Sequence, residues 1–207
     1  MNTSMTERER IMRTLQGKPC DKIPWATRLD IWFTAANRSG ALSEEFTDMD
    51  LMEIHHRLGI GRQFYALVAQ MKLRGVEVSV EFDGEIIRKE NQPYMDFPIP
   101  RNFVPIENPG DTRIFFKTPA GTAHLRYRTT ETTIREAELP YLVDPILKDD
   151  DAFNVVKWIL DHAEPVATFD GFKRVEERVG ENGFTIPVVG RIPFQQILLD
   201  YMGEERT

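Results

Sequence analysis

Cysteine is almost missing from this sequence: Cys20 is the one example in 207 residues, so no intrachain disulfide can form. It lies in a Gly-Lys-Pro-Cys-Asp-Lys turn with no neighbouring His or second Cys to activate it. It reads as a bystander thiol rather than a nucleophile or metal ligand. Positive charge is also short, with 26 Lys and Arg against 33 Asp and Glu and a net charge of -7. That balance supplies no field to attract nucleic acid or an anionic membrane. Long apolar runs are lacking: none approaches the ~20 residues of a membrane span. The opening Met-Asn-Thr-Ser-Met-Thr-Glu-Arg-Glu-Arg has no apolar signal-peptide core. Together these features predict a cytoplasmic protein that binds neither nucleic acid nor membrane. A Gly-rich phosphate loop and a nucleophile elbow are missing as well. Gly59-Ile-Gly61 lacks the third glycine of a dinucleotide motif and follows a helix pattern rather than a strand.

What is present is an ordinary globular composition, 41% hydrophobic and 29% charged, with clear punctuation. Thr6-Glu-Arg-Glu9 is a capping-box pattern ahead of Ile11, Met12 and Leu15, and Gly17 is placed to stop that helix. Ile23–Thr27 suits a buried strand, and Arg28 to Leu42 reads as an elaborated loop. A helix over Leu51, Ile54 and Leu58 stops at Gly59. Val76, Val78, Val80 and Phe82 alternate with polar residues, and Asp83-Gly84 then turns the chain into Glu85–Lys89, a hairpin. Residues 91–111 hold five prolines and predict an irregular connection. A second hairpin joins Arg113–Lys117 to Thr122–Arg128 through Thr118-Pro-Ala-Gly121. From Asp149 the pattern becomes helix–strand–helix: Phe153, Val156 and Leu160 on one helix face, then Phe172, Val175 and Val179 on another. Strands are expected at Arg62–Val68, Val166–Phe169 and Phe184–Val189, with a final helix carrying Ile197, Leu198 and Met202. Alternating helices and buried strands predict an α/β fold with a parallel sheet.

In a (β/α)-barrel the chemistry gathers where strands end. Arg28 and Asp30 follow the first expected strand, and Arg191 follows Phe184–Val189. Two arginines at one barrel mouth would suit a carboxylate-rich ligand, because the guanidinium is a permanently charged donor fork. The alternative for each is a helix cap or a surface ion pair. Asp30 is open to orienting an arginine, acting as acid or base, or closing a loop salt bridge. His55 and His56 are adjacent on a helix and point about 100° apart, so they cannot readily chelate one ion. His124 shares a strand face with Arg126 and Arg128, better read as a solvated hairpin face than as an anion site. His162 ends a helix, where a cation suits the dipole. No set of His and Cys has metal-ligand spacing. Trp25, Trp32, Phe33, Phe64 and Tyr65 read either as core and loop packing or as a stacking wall for a flat ligand.

Thr6-Glu-Arg-Glu-Arg-Ile-Met-Arg-Thr-Leu-Gln-Gly17, then Pro19-Cys-Asp-Lys-Ile-Pro24, resembles the opening of uroporphyrinogen-decarboxylase-like proteins. Trp25-Ala-Thr-Arg-Leu-Asp-Ile-Trp32, Thr118-Pro-Ala-Gly-Thr122 and Val189-Gly-Arg-Ile-Pro-Phe194 are similar to later parts of that family, so the resemblance spans most of the chain. It implies the N-terminal portion of a (β/α)8 TIM-type barrel with an inserted β-hairpin excursion. Residues 1–70 would hold the first helix, strands and loop, 71–130 the excursion, and 131–207 a further α/β portion of one incomplete domain. The family includes decarboxylases of uroporphyrinogen and corrinoid-linked methyltransferases that use zinc held later in the barrel. Arg28 would match the first arginine of the decarboxylases' Arg-Gln-Ala-Gly-Arg motif, but Leu-Asp-Ile-Trp follows it here. Phe64-Tyr-Ala-Leu-Val68 lacks their catalytic aspartate, and Tyr201 is not at the spacing of their tyrosine. The resemblance therefore implies a methyltransferase-type paralogue acting on a tetrapyrrole or corrinoid, with Arg28, Asp30 and Arg191 as substrate-binding residues and no catalytic residue assigned. No cofactor is expected in this chain, and any zinc would be held beyond it. A corrinoid protein and a second copy of the chain are the candidate partners. The alternatives are a uroporphyrinogen decarboxylase and a non-catalytic tetrapyrrole-binding protein.

Overall fold

A computed structural model describes residues 4–95 and 103–203. The chain is mixed α/β and divides into two compact units, Met1–Val68 with Thr168–Val188, and Ala69–Ala167 with Val189–Thr207. The first unit opens with α1 (Glu7–Leu15), whose N-cap Thr6 accepts a hydrogen bond from Glu9 N–H at 3.1 Å. A two-residue strand, β1 (Ala26–Thr27), leads into α2 (Asp30–Ser39). Then come α3 (Leu51–Leu58) and β2 (Gly61–Leu67). The expected loop over Arg28 to Leu42 is thus largely the helix α2. Its Trp, Phe and Thr residues are weak helix formers and hide it from pattern reading. Asp30 in the first turn, Arg38 in the last and left-handed Gly40 (φ 68°) nevertheless bound it at both ends. At α3, Asp50 and Glu53 form a complete capping box with bonds of 2.9 and 2.7 Å.

The second unit begins with β3 (Ala69–Leu73), β4 (Glu77–Phe82), β5 (Glu85–Asn91) and β6 (Tyr94–Met95). It continues through β7 (Gly110–Thr118), β8 (Gly121–Thr129), α4 (Glu131–Arg135), β9 (Tyr141–Asp144), α5 (Asp150–His162) and β10 (Ala163–Ala167). Pro98 and Pro100 of the Pro-rich connection lie outside the described residues. The chain then returns to the first unit as α6 (Phe169–Val179) and β11 (Gly183–Val188). Last comes α7 (Pro193–Gln196), which runs on as a π-helical turn through Ile197–Met202.

Both expected hairpins form. Asp83 and Gly84 have φ of 47° and 92°, the left-handed pair that a tight two-residue turn requires. Strands β5-β4-β7-β8-β9 make one antiparallel sheet. Its alternation drives Val78, Val80, Ile114, Phe116, Leu125 and Tyr127 into one core. The helix α5 covers that face with Ala152, Val155, Val156 and Ile159. The expected stripe of Phe153, Val156 and Leu160 is thus displaced by one position, leaving Phe153 and Leu160 exposed. Both stripes have helical spacing and share Val156. The tightly packed sheet face accepts the smaller, β-branched side chains. A second correction concerns Val166–Phe169, expected as a parallel strand. The strand there, β10, pairs antiparallel with β3, from Ala163 opposite Leu73 to Ala167 opposite Ala69. Phe169 already belongs to α6.

In the first unit β1, β2 and β11 lie side by side in chain order, all parallel. Parallel neighbours need crossovers, and here helices supply them: α2 and α3 between the first two strands, α6 before the third. Among the described residues this parallel sheet is open, not a closed barrel. Helices α1, α3 and α6 pack on β2, with Ile11, Ile54, Ile60, Ala66 and Val179 buried. Gly183 sits opposite Arg62, and a Cβ there would lie 1.8 Å from the Arg62 carbonyl oxygen. Only glycine lets these two strands approach so closely.

Candidate functional site

The short first strand creates the site. Pairing between β1 and β2 stops at Thr27 opposite Arg62, so the following residues of β2 have no β1 partner. A cavity of about 160 Å³ opens there, lined by Arg28, Asp30, His55, Arg62, Phe64 and Tyr65 among others. Taking about 30 Å³ per water, it has room for roughly five waters. That is enough for one acidic side group and far too little for a macrocycle.

Arg28 and Asp30, expected from the sequence as substrate-binding residues, are brought together. The Arg28 guanidinium donates twice to the Asp30 carboxylate, at 3.1 and 2.7 Å, and lies over the Tyr65 ring at 5.1 Å. This bidentate pair is about half exposed. The hydrogen bond from Arg28 holds the Asp30 carboxyl below its ordinary range. Arg191, the third expected residue, belongs to the second unit. Its Nε lies 3.7 Å from the buried carboxylate of Asp200, which makes it that group's counter-charge.

Sequence reasoning missed the two most buried polar residues of the cavity. His55 is 2% exposed, and its Nδ1 is 3.2 Å from the Gly61 carbonyl oxygen. A carbonyl only accepts, so Nδ1 carries the proton and Nε2 is the acceptor. Burial lowers the His55 pKa, which favours that neutral tautomer. Arg62 is 9% exposed, and its guanidinium lies 4.3 Å from the Phe64 ring centroid. Among the described residues it has neither an ion pair nor a side-chain hydrogen bond. Burial lowers its pKa, the charge of Arg178 acts the same way, and Asp50 and Asp30 oppose from a distance. It remains a cation regardless. Of the aromatic group expected as a stacking wall, Phe64 and Tyr65 line the cavity. Trp32 instead meets Phe46 edge-on at 6.3 Å.

No family model matches the chain, and no curated protein or solved structure matches it. The other sequence candidates are absorbed by local partners. Arg126 and Arg128 both bind Asp111, at 2.8 to 3.0 Å. His124 lies between Lys148 at 3.1 Å and Asp144 at 3.3 Å. His162 stacks on Trp158 at 3.9 Å, and Cys20 Sγ is 3.3 Å from the Arg10 carbonyl oxygen. Among the described residues no group of three or more His, Cys, Asp or Glu side chains could hold a metal ion. None of the described helices is long and apolar enough to cross a membrane.

Proposed function

We propose that β1, β2 and β11 are the opening strands of a (β/α)8 barrel of the uroporphyrinogen-decarboxylase-like class, and that the protein is an enzyme acting on a tetrapyrrole or corrinoid as a methyltransferase-type relative. The observation that carries this reading is the position of Arg28 and Asp30, immediately beyond the first of three neighbouring parallel strands and on the wall of a cavity. Such strand ends are where barrel enzymes place their substrate-binding groups. The cavity would take one acidic arm, with the macrocycle outside it. Transfer is favoured over decarboxylation because Phe64-Tyr-Ala-Leu-Val68 lacks the aspartate of the decarboxylases. The described donor groups do not fit a zinc centre, so no step through zinc is assigned to them.

The test is titration of the full chain with uroporphyrin I and with hydroxocobalamin, followed by absorbance and fluorescence. At least one should bind saturably, and Arg28→Ala should weaken it by roughly 10-fold or more, because Asp30 would then face the incoming acid without its counter-charge. Absence of binding to both, or equal affinity in the variant, would overturn the reading.

A further inference from the structure

We infer that Arg62 is a carboxylate receptor: an acidic group of the ligand enters the cavity beside β2 and takes the Arg62 guanidinium as its partner, while Arg28 stays paired with Asp30. Two buried arginines in the same unit make the case by contrast. Arg10, 5% exposed, donates to both Asp21 oxygens at 2.7 and 2.8 Å and to Glu7 at 2.6 Å. Arg62 is buried almost as deeply and has only the face of Phe64. None of the Arg62 nitrogens is among the buried side-chain atoms left without a partner, so its unbonded donors open onto the cavity, where a carboxylate can take the place of water. Arg62 lines a cavity in which that anion can sit.

The other cation there, Arg28, already has its fork filled by Asp30. His55 has its proton turned to the Gly61 carbonyl and adds no charge. One unshared guanidinium matches a planar monoanion in two parallel hydrogen bonds better than a phosphate dianion, which wants further donors. Leu51, Phe64 and Tyr65 supply apolar wall for a short hydrocarbon stem.

This inference deepens the functional reading by naming the group recognised, yet stands on the cavity alone. The full chain carrying ¹⁵N-arginine is titrated with propionate in low-salt buffer, and in parallel with inorganic phosphate. Propionate should shift one arginine Nε–H resonance saturably. The shift should vanish in Arg62→Met and need at least ~10-fold more propionate in Arg62→Lys, which keeps the charge but loses the fork. Ligand-free Arg62→Met should melt at the wild-type temperature or up to ~5 °C above it, because a buried, unpaired charge is removed. No saturable shift, a response to phosphate alone, or a midpoint well below wild type would overturn the assignment. Propionate binding without uroporphyrin or cobalamin binding keeps this subsite and sinks the tetrapyrrole reading. Uroporphyrin binding unchanged in Arg62→Met does the reverse.

Discussion

Arg10 and Arg62 show how one residue type takes opposite roles according to what surrounds it. Arg10 ties α1 to the turn after it: Glu7 lies one helical turn before it, Asp21 beyond the helix stop, and all three meet at hydrogen-bond distance. Asp21 is held well below the usual carboxylate range, chiefly by the Arg10 hydrogen bonds. Removing the guanidinium leaves the mostly buried Glu7 carboxylate with Lys22 at 3.1 Å, while the more exposed Asp21 keeps the Lys22 N–H at 2.8 Å. Breaking such a pair from one side is strongly destabilising. Arg10→Met should therefore lower the melting midpoint by roughly 5 °C or more. The same substitution at position 62 is expected to leave it unchanged or raise it. Thermal melts of the two variants side by side check both signs.

Among the helices, α3 contributes most to the cavity, because it presents both Leu51 and His55 to it. This helix is only eight residues long, too short to persist by propensity alone. Its reciprocal Asp50–Glu53 box satisfies backbone donors at one end, and Gly59 at φ 63° closes the other. Asp50→Ala should cost about 1 kcal/mol of stability, read as a fall in the denaturant midpoint at unchanged slope. Fraying should loosen the cavity wall as well. Amide hydrogen exchange at the first turn of α3 should accelerate more than at α6, and uniform acceleration across both helices would contradict a local cap effect.

For the molecule as a whole, acid is the expected weak point. Asp21, Asp30, Asp111 and Glu164 each have a lowered pKa, led in every case by an arginine hydrogen bond. A carboxyl depressed on folding stabilises the native state above its unfolded pKa, and that contribution is lost as pH falls through the folded value. For Asp111, held at about 2 by Arg128 and then Arg126, the window runs from near 4 down to about 2. Asp111→Asn should melt a little below wild type at neutral pH, by an amount typical of partly exposed pairs. The gap should hold down to about pH 4 and close toward pH 2. A gap that stayed constant over this range would show that the charge on Asp111 contributes nothing.

Short-range chemistry made much of this protein legible in its sequence. The hairpin turn at Asp83-Gly84, the alternation of Val76, Val78 and Val80, and the helix over Leu51, Ile54 and Leu58 follow from backbone sterics and period, which act over a few residues. The placement of Arg28 and Asp30 beyond a strand was equally visible, since strand ends are marked locally. Other features depended on partners distant in sequence. Val166 and its neighbours became an antiparallel strand because β3 lay beside them, and α5 turned its Val155 face inward because a tight sheet selected the smaller side chains. Arg62 looked like the first polar residue of an ordinary strand. Its isolation arises because α3 and α6 cover β2 without bringing a carboxylate within ion-pair distance of the guanidinium. Burial and the absence of a counter-charge are properties of the assembled neighbourhood, so only the tertiary structure could set them.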